Sequence, residues 1–156
     1  MIVDAWDYRI SDIAKAISTF VKESMYPIEY SEYNTLNTLM SMYNDIDTGL
    51  LVDYSDNVFN GFAIVQRTDE FHEQYFGYLS KFYVLPDRRS ARAAIRLAEE
   101  AVQWFDDKSC VVSFATATAG IGRDEAFIRL MSRVGYAASE TGMLTRNQHG
   151  KIQIHR

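Results

Sequence analysis

Cysteine is almost absent: Cys110 stands alone in 156 residues. No disulfide can form within the chain, so a small cross-linked secreted scaffold is excluded and a reducing, cytoplasmic setting is expected. Proline occurs only at Pro27 and Pro86, and the eight glycines are scattered, which excludes collagenous and linker-rich architectures. No apolar run approaches the roughly 18 residues of a membrane span. The opening MIVDAWDYRISD carries acids where a secretory leader carries bases, and no membrane partner is expected. His149 and His155 lie near the end without metal-ligand spacing, and there is no zinc pattern, Ser-His-Asp set or Walker loop. No metal is expected.

What is present is an ordinary globular balance, 47% apolar and 24% charged, in a length typical of one domain. With no repeat or linker, residues 1–156 are expected to form a single domain. The net charge of −5 is unevenly spread. Residues 1–80 hold four Lys and Arg against thirteen Asp and Glu, whereas residues 81–156 hold twelve against eight. The basic half suits a polyphosphate, and the acidic half suits a cationic group drawn in by long-range attraction. The acidic total and the lack of a recognition motif argue against nucleic acid.

Periodicity predicts a mixed α/β domain. Residues 2–6 read as a strand, followed by a helix capped by Ser11 with Ile13, Ala16, Ile17, Phe20 and Val21 on one face. After a loop over 26–30, Ser31 caps a second helix whose Leu36, Leu39, Met40 and Tyr43 share a face. Residues 49–54 and 58–67 form a hairpin around Ser55-Asp56-Asn57, and a third strand covers 75–85. A long helix follows with an apolar stripe of Ala91, Ala94, Ile95, Ala98, Val102 and Phe105. Residues 110–118 read as a fully buried strand with parallel neighbours. A helix over 124–134 points Phe127, Leu130, Met131 and Val134 inward and stops at Gly135, and strands over 137–146 and 151–155 close the chain. The predicted order is β-α-α-β-β-β-α-β-α-β-β.

That order, with residues 82–97 (FYVLPDRRSARAAIRL), resembles the GNAT superfamily of acyl-CoA N-acyltransferases. Val84, Pro86, Arg89 and Leu97 fall on the family's pattern of a strand ending in Val-x-Pro, then Arg and a turn opening a helix, and Gly135-Tyr136 matches the end of its last helix. The chain is also similar in style to short acetyltransferase-like proteins of tailed phages, whose setting would be a host cytoplasm. The resemblance implies acetyl-CoA as co-substrate, with its pyrophosphate on the backbone N–H groups of the strand-to-helix turn and its pantetheine arm between two splayed parallel strands. The implied cofactor residues are Tyr83, Val84, Arg88, Arg89, Ser90, Ala91, Arg92, Ala93 and Ala94. At the family's three turn glycines stand Ser90, Arg92 and Ala94, so the Arg92 side chain either leaves the turn or fills space that the phosphates would use. Arg88, Arg89, Arg92 and Arg96 put four cations within nine residues, read as phosphate partners. The structural alternative pairs Arg96 with Glu99 or Glu100.

On the acceptor side the resemblance points to the loop between the first two helices, where Tyr26, Glu29 and Tyr30 suit an ammonium group by cation–π contact and ion pairing. The acceptor is an amine, either a small molecule or a protein lysine. Acyl transfer requires a neutral amine, donors for an oxyanion and an exit for the thiolate. The glutamate many family members carry before the pyrophosphate turn is missing, with Ser80 and Lys81 in its place. The tyrosine of the last helix is replaced by Met131, and Asp124 stands where Asn is frequent. Tyr78, His72 and Glu73 are unspecific substitutes, Cys110 reads as a small buried hydrophobe, and the catalytic residues are unassigned. These losses support a rival function, a GNAT-fold scaffold or host-factor binder without turnover. The sequence leaves the oligomeric state open, with a homodimer among the options.

Overall fold

The computed structural model describes residues 2–4, 10–24, 28–55, 57–70, 72–116, 123–137, 143–146 and 152–155. The elements are β1 (Ile2–Asp4), α1 (Ile10–Glu23), α2 (Glu32–Tyr43), β2 (Thr48–Ser55), β3 (Val58–Thr68), β4 (Phe76–Val84), α3 (Ala91–Asp107), β5 (Val112–Ala115), α4 (Asp124–Arg133), β6 (Met143–Arg146) and β7 (Ile152–His155). This is the predicted order. The first five strands form one sheet in the order β1-β2-β3-β4-β5, antiparallel except for the parallel pair β4–β5, and β6–β7 is a separate antiparallel hairpin.

Alternation along the strands builds a core on each face. Leu50, Val52, Phe62, Ile64 and Tyr83 point to the side of α1 and α2, where they meet Ile13, Ala16 and Leu39. Leu51, Ala63, Val65, Leu79 and Val84 point the other way, onto Ala93, Leu97, Ala101 and Phe105 of α3 and Met131 of α4. Two glycines permit this packing: a Cβ at Gly61 would run into the backbone of Tyr83 and Val84, and one at Gly77 into the ring of Phe105.

Side-chain caps fix two helix starts. The Ser31 hydroxyl accepts from the N–H of Asn34 at 3.2 Å, as predicted, and Ser90 accepts from Ala93 at 3.2 Å. Gly135, at φ 100°, follows α4 in the left-handed region its position called for.

Four sequence expectations are corrected. Helix α1 starts at Ile10, so Ser11 lies inside its first turn instead of capping it. Of the stripe predicted on α2 only Leu39 is buried, while Leu36, Met40 and Tyr43 are exposed, because α2 touches α1 and the sheet along a narrow line. The buried face of α3 is Ala93, Leu97, Ala98, Ala101 and Phe105, rotated from the predicted stripe. The reason is that α3 packs on α4 as well as the sheet, leaving Ala94 and Ile95 to line a cavity beside α4. Strand β5 is not fully buried: Val112 and Phe114 are exposed, since α1 and α2 lie over β3 and β2 and do not extend across it.

Candidate functional site

Strand β4 changes partner along its length. From Phe76 to Leu79 it pairs with β5, ending at Leu79 opposite Ala115. On its other edge the register with β3 shifts, with Val65 opposite Leu79 and Ile64 opposite Lys81. Ser80 is therefore the extra residue of a β-bulge, and its hydroxyl donates to the carbonyl of Ile64 at 3.2 Å. Beyond the bulge, Lys81–Val84 has no paired neighbour on the β5 side among the described residues. This fork leaves strand backbone available to an extended ligand.

A cavity of about 320 Å³ adjoins the fork. Its walls are Phe82, Tyr83 and Val84 of β4, the turn residues Arg89 and Ser90, Ala94 and Ile95 of α3, and one side of α4. Helix geometry leaves the first N–H groups of α3 without an intrahelical carbonyl, and Ser90 caps that of Ala93. Of the predicted cofactor residues, Tyr83, Val84, Arg89, Ser90 and Ala94 line the cavity, Arg88, Arg92 and Ala93 do not, and the Ala91 side chain lies outside what the structure describes. Arg88 and Arg92 are exposed, and Ala93 is buried under the sheet. The helix begins at Ala91, so Arg88 precedes it and does not align with Arg92 and Arg96.

The sequence reading missed three lining arginines, Arg123, Arg129 and Arg133. Together with Arg89 they bring four guanidiniums to one cavity whose walls, among the described residues, carry no Asp, Glu or His. Arg129 approaches Glu125 at 3.4 Å, but among the described residues neither Arg123 nor Arg133 has an ion-pair partner. The i, i+4 spacing of Arg129 and Arg133 was the available signal.

A second omission is Glu23, the last residue of α1. Its carboxylate accepts from the Tyr83 hydroxyl and from Arg89 Nη2 at 2.5 Å, and Arg89 Nε also donates to the Val84 carbonyl at 3.2 Å. Burial pulls the Glu23 carboxyl up, but the hydrogen bonds from Arg89 and Tyr83 and the charges of Arg89 and Arg123 outweigh it and hold the carboxyl below its ordinary value. Burial and the neighbouring carboxylate push the Tyr83 phenol well above its ordinary value. Arg96 takes no part in the cavity. It forms a bidentate pair with Asp53, which is 0% exposed, at 2.8 and 2.7 Å, and reaches Ser55 Oγ. Both the phosphate role and the pairing with Glu99 or Glu100 give way to this partner, brought close by packing α3 on β2.

The remaining candidates are dispersed. Met131 is buried in the core below α3 and α4. Lys81 is exposed with Nζ on the Ser80 carbonyl, and Asp124 sits in the first turn of α4. His72 and Glu73 are exposed in the connector before β4. Cys110 is half-buried against the core, and burial raises its thiol, so it is a poor nucleophile. Glu29 is exposed and Tyr30 half-buried, neither lines the cavity, and Tyr26 lies outside the described residues, as does His149. Among the described residues no cluster of His, Cys, Asp and Glu is arranged for a metal, and no helix is long and apolar enough to cross a membrane.

A sequence model of the acetyltransferase (GNAT) family matches residues 14–136. The chain belongs to that family. No curated protein sequence matches it, but solved structures share its fold at low identity. A transcriptional regulator from Bacillus halodurans superposes with a TM-score of 0.73 at 12% identity, over 92% of this chain and 96% of its own. An aminoglycoside 6'-N-acetyltransferase from Acinetobacter haemolyticus gives 0.69 at 19% identity, over 95% and 98%. The aminoglycoside acetyltransferase AAC(6')-Iy, bound to the bisubstrate analogue CoA-S-monomethyl-acetylneamine, gives 0.67 at 14% identity, over 88% and 93%. The GNAT fork and turn thus frame the cavity, and its donor set of strand backbone, helix N–H groups and guanidiniums fits a long ligand carrying phosphates.

Proposed function

We propose that this GNAT chain transfers an acetyl group from acetyl-CoA to a primary amine, a small molecule or a protein lysine. The observation that carries the reading is the opening of β4 from β5 directly beside a cavity lined by four arginines. Acetyl-CoA, when bound, supplies the activated acyl carbon. The backbone of Lys81–Val84 would hold its pantetheine arm, and Arg89, Arg123, Arg129 and Arg133, with the N–H groups at the start of α3, would hold its phosphates. Arg88 and Arg92, exposed and not among the lining residues, would be weaker partners. Strand N–H groups at the fork are the donors within reach of developing oxyanion charge.

The net change is one C–N bond formed and one C–S bond broken, with a proton leaving the amine and the thiol departing protonated. Among the described residues no carboxylate or imidazole lines the cavity, and in this reading the amine's proton passes to water. The acceptor enters from the acidic half, where Tyr26, Glu29 and Tyr30 attract it. The family resemblance and the single reduced thiol support a cytoplasmic setting, the host's for a phage-encoded member.

One observation favours a second reading, a GNAT-fold binder without turnover. Where the family places an acid or base stand Ser80, whose hydroxyl is on a backbone carbonyl, Lys81, whose Nζ is on the Ser80 carbonyl, and Met131, buried in the core. Calorimetry with acetyl-CoA, followed by a thiol-release assay over an amine panel, separates the two. Micromolar binding weakened by Arg89→Ala, and less by Arg92→Ala, together with thiol release, is the expected result. Binding without release would leave the second reading, and no binding at millimolar acetyl-CoA would sink the enzyme reading.

A further inference from the structure

Among the described residues nothing covers the face of the sheet opposite α3 over the start of β4 and over β5, where Tyr78, Val112 and Phe114 are exposed. Gly77 and Leu79 point to α3, so Phe76 and Tyr78 point away from it. Phe76 lies opposite Val112 and Tyr78 opposite Phe114 across the parallel pair. The rings form a continuous platform: Tyr78 stacks on Phe114 at 5.7 Å, and Phe76 meets both edge-on at 5.4 and 6.4 Å. His72, from the connector before β4, contacts the edge of Phe76 at 5.2 Å. Despite these contacts Tyr78 is 41% and Phe114 48% exposed. Rings that pack on one another yet stay half in water form a flat apolar surface with its outer side unused.

The position of this surface is as informative as its composition. The Tyr78–Phe114 pair is one residue short of the last β4–β5 pair, so the platform ends at the fork. The cavity lies on the α3–α4 side, and the platform faces the opposite side. A group resting on the platform therefore meets an acyl group held in the fork from across the sheet. Lys81 stands opposite Ile64, whose side chain belongs to the α1–α2 core, so it is on the platform's face just above the bulge. Its charge disfavours an ammonium at the fork, where reaction requires the neutral amine. The connector's exposed Asp69, Glu70 and Glu73 draw a cation toward this side from a distance.

We infer that this platform seats the acceptor, and that the acceptor is a primary amine on an aryl or similarly flat apolar body, not a polycationic sugar. The inference rests on the acetyltransferase reading and names its substrate class. The flat body covers Tyr78 and Phe114, and the amine projects past Lys81 into the fork.

The test titrates the full chain with 2-phenylethylamine by NMR, observing the rings of Tyr78 and Phe114, and measures thiol release with acetyl-CoA for 2-phenylethylamine, ethylamine and kanamycin. The expected results are shifts at both rings and a kcat/KM about tenfold above ethylamine. Tyr78→Ala and Phe114→Ala each abolish that preference without changing acetyl-CoA affinity, and Tyr78→Phe retains it. Absence of ring shifts at millimolar amine, or kanamycin preferred with the variants neutral, overturns the inference. The NMR readout needs no acetyl-CoA, so the two readings fail separately. A chain that binds the aryl amine at the rings but not acetyl-CoA sinks the enzyme reading alone. One that binds acetyl-CoA without a ring response sinks the platform alone. Ring shifts that follow protein concentration, in a chain that sediments as a dimer, would assign the face to a second copy and overturn the inference.

Discussion

Arginines on the two sides of α3 meet opposite fates. On the side facing β2, Arg96 spends its guanidinium on the buried Asp53 and on Ser55, and Asn60 adds a further hydrogen bond to the same carboxylate at 3.0 Å. On the side facing α4, Arg123 and Arg133 border a cavity whose described walls carry no carboxylate, and among the described residues neither forms a salt bridge. The first arrangement is closed: every charge has an internal partner, and its consequence is stability. The second is open: four like charges converge and are only partly balanced, by Glu23 and Glu125. Arg89 stands between them, lining the cavity while paired to Glu23. Cation count therefore says little about function until each cation's partner is known.

The sharpest way to break the closed side is Asp53→Ala. It strands the Arg96 guanidinium against the sheet and removes the acceptor of Asn60, with an expected loss of about 3–5 kcal/mol. Urea unfolding measures it, and a loss below about 1 kcal/mol would mean that the pair is no more than a surface contact. Asp53→Ala with Arg96→Leu should recover part of the loss, since removing both partners leaves no uncompensated charge. Acetyl-CoA affinity of the folded fraction should stay unchanged, because neither residue touches the cavity.

Glu23→Gln tests the partner of Arg89, the arginine that stands between the two sides. At neutral pH it should cost about 1–2 kcal/mol, the worth of charge-assisted hydrogen bonds in a half-buried setting. The sign of its pH dependence follows from the lowered carboxyl. The stabilisation is complete above the unfolded carboxyl range, about pH 4.3, and is lost as pH falls through the lower folded value. The gap between parent and variant should therefore hold from neutral pH to the unfolded range and close below it. A gap that persists at pH 2 would assign the cost to packing instead of charge.

The element order was legible because it rests on local signals. Ser31 before a helical run, Ser55-Asp56-Asn57 between two apolar runs and Gly135 after the last helix each act within a few residues. The face of each helix was less legible, since periodicity reports an apolar stripe but not how many neighbours share it. α3 has two and α2 has a narrow contact, which is why the stripes of both were misread. Ion-pair partners were not legible at all. Asp53 is 43 residues from Arg96, and Glu23 is 66 from Arg89, distances at which spacing carries no information. The turn was found from the Val-x-Pro and Arg matches, but the cavity's other wall, α4, enters through tertiary packing.

The smallest effect in stability is expected on the open side, where it is also the most diagnostic. Arg123→Ala and Arg133→Ala remove exposed side chains that form no salt bridge among the described residues, so each should change unfolding free energy by no more than about 0.5 kcal/mol. Each should nevertheless weaken acetyl-CoA binding about fivefold, the scale of one partly solvated guanidinium–phosphate contact. Salt separates this from a packing effect. Exposed charges are screened over about 10 Å at 0.1 M, so raising ionic strength should weaken the parent more than either variant and draw the affinities together. If the variants lost stability instead of affinity, or lost affinity equally at all salt concentrations, the arginines of α4 would belong with Arg96. The contrast between the two sides of α3 would then be one of exposure alone.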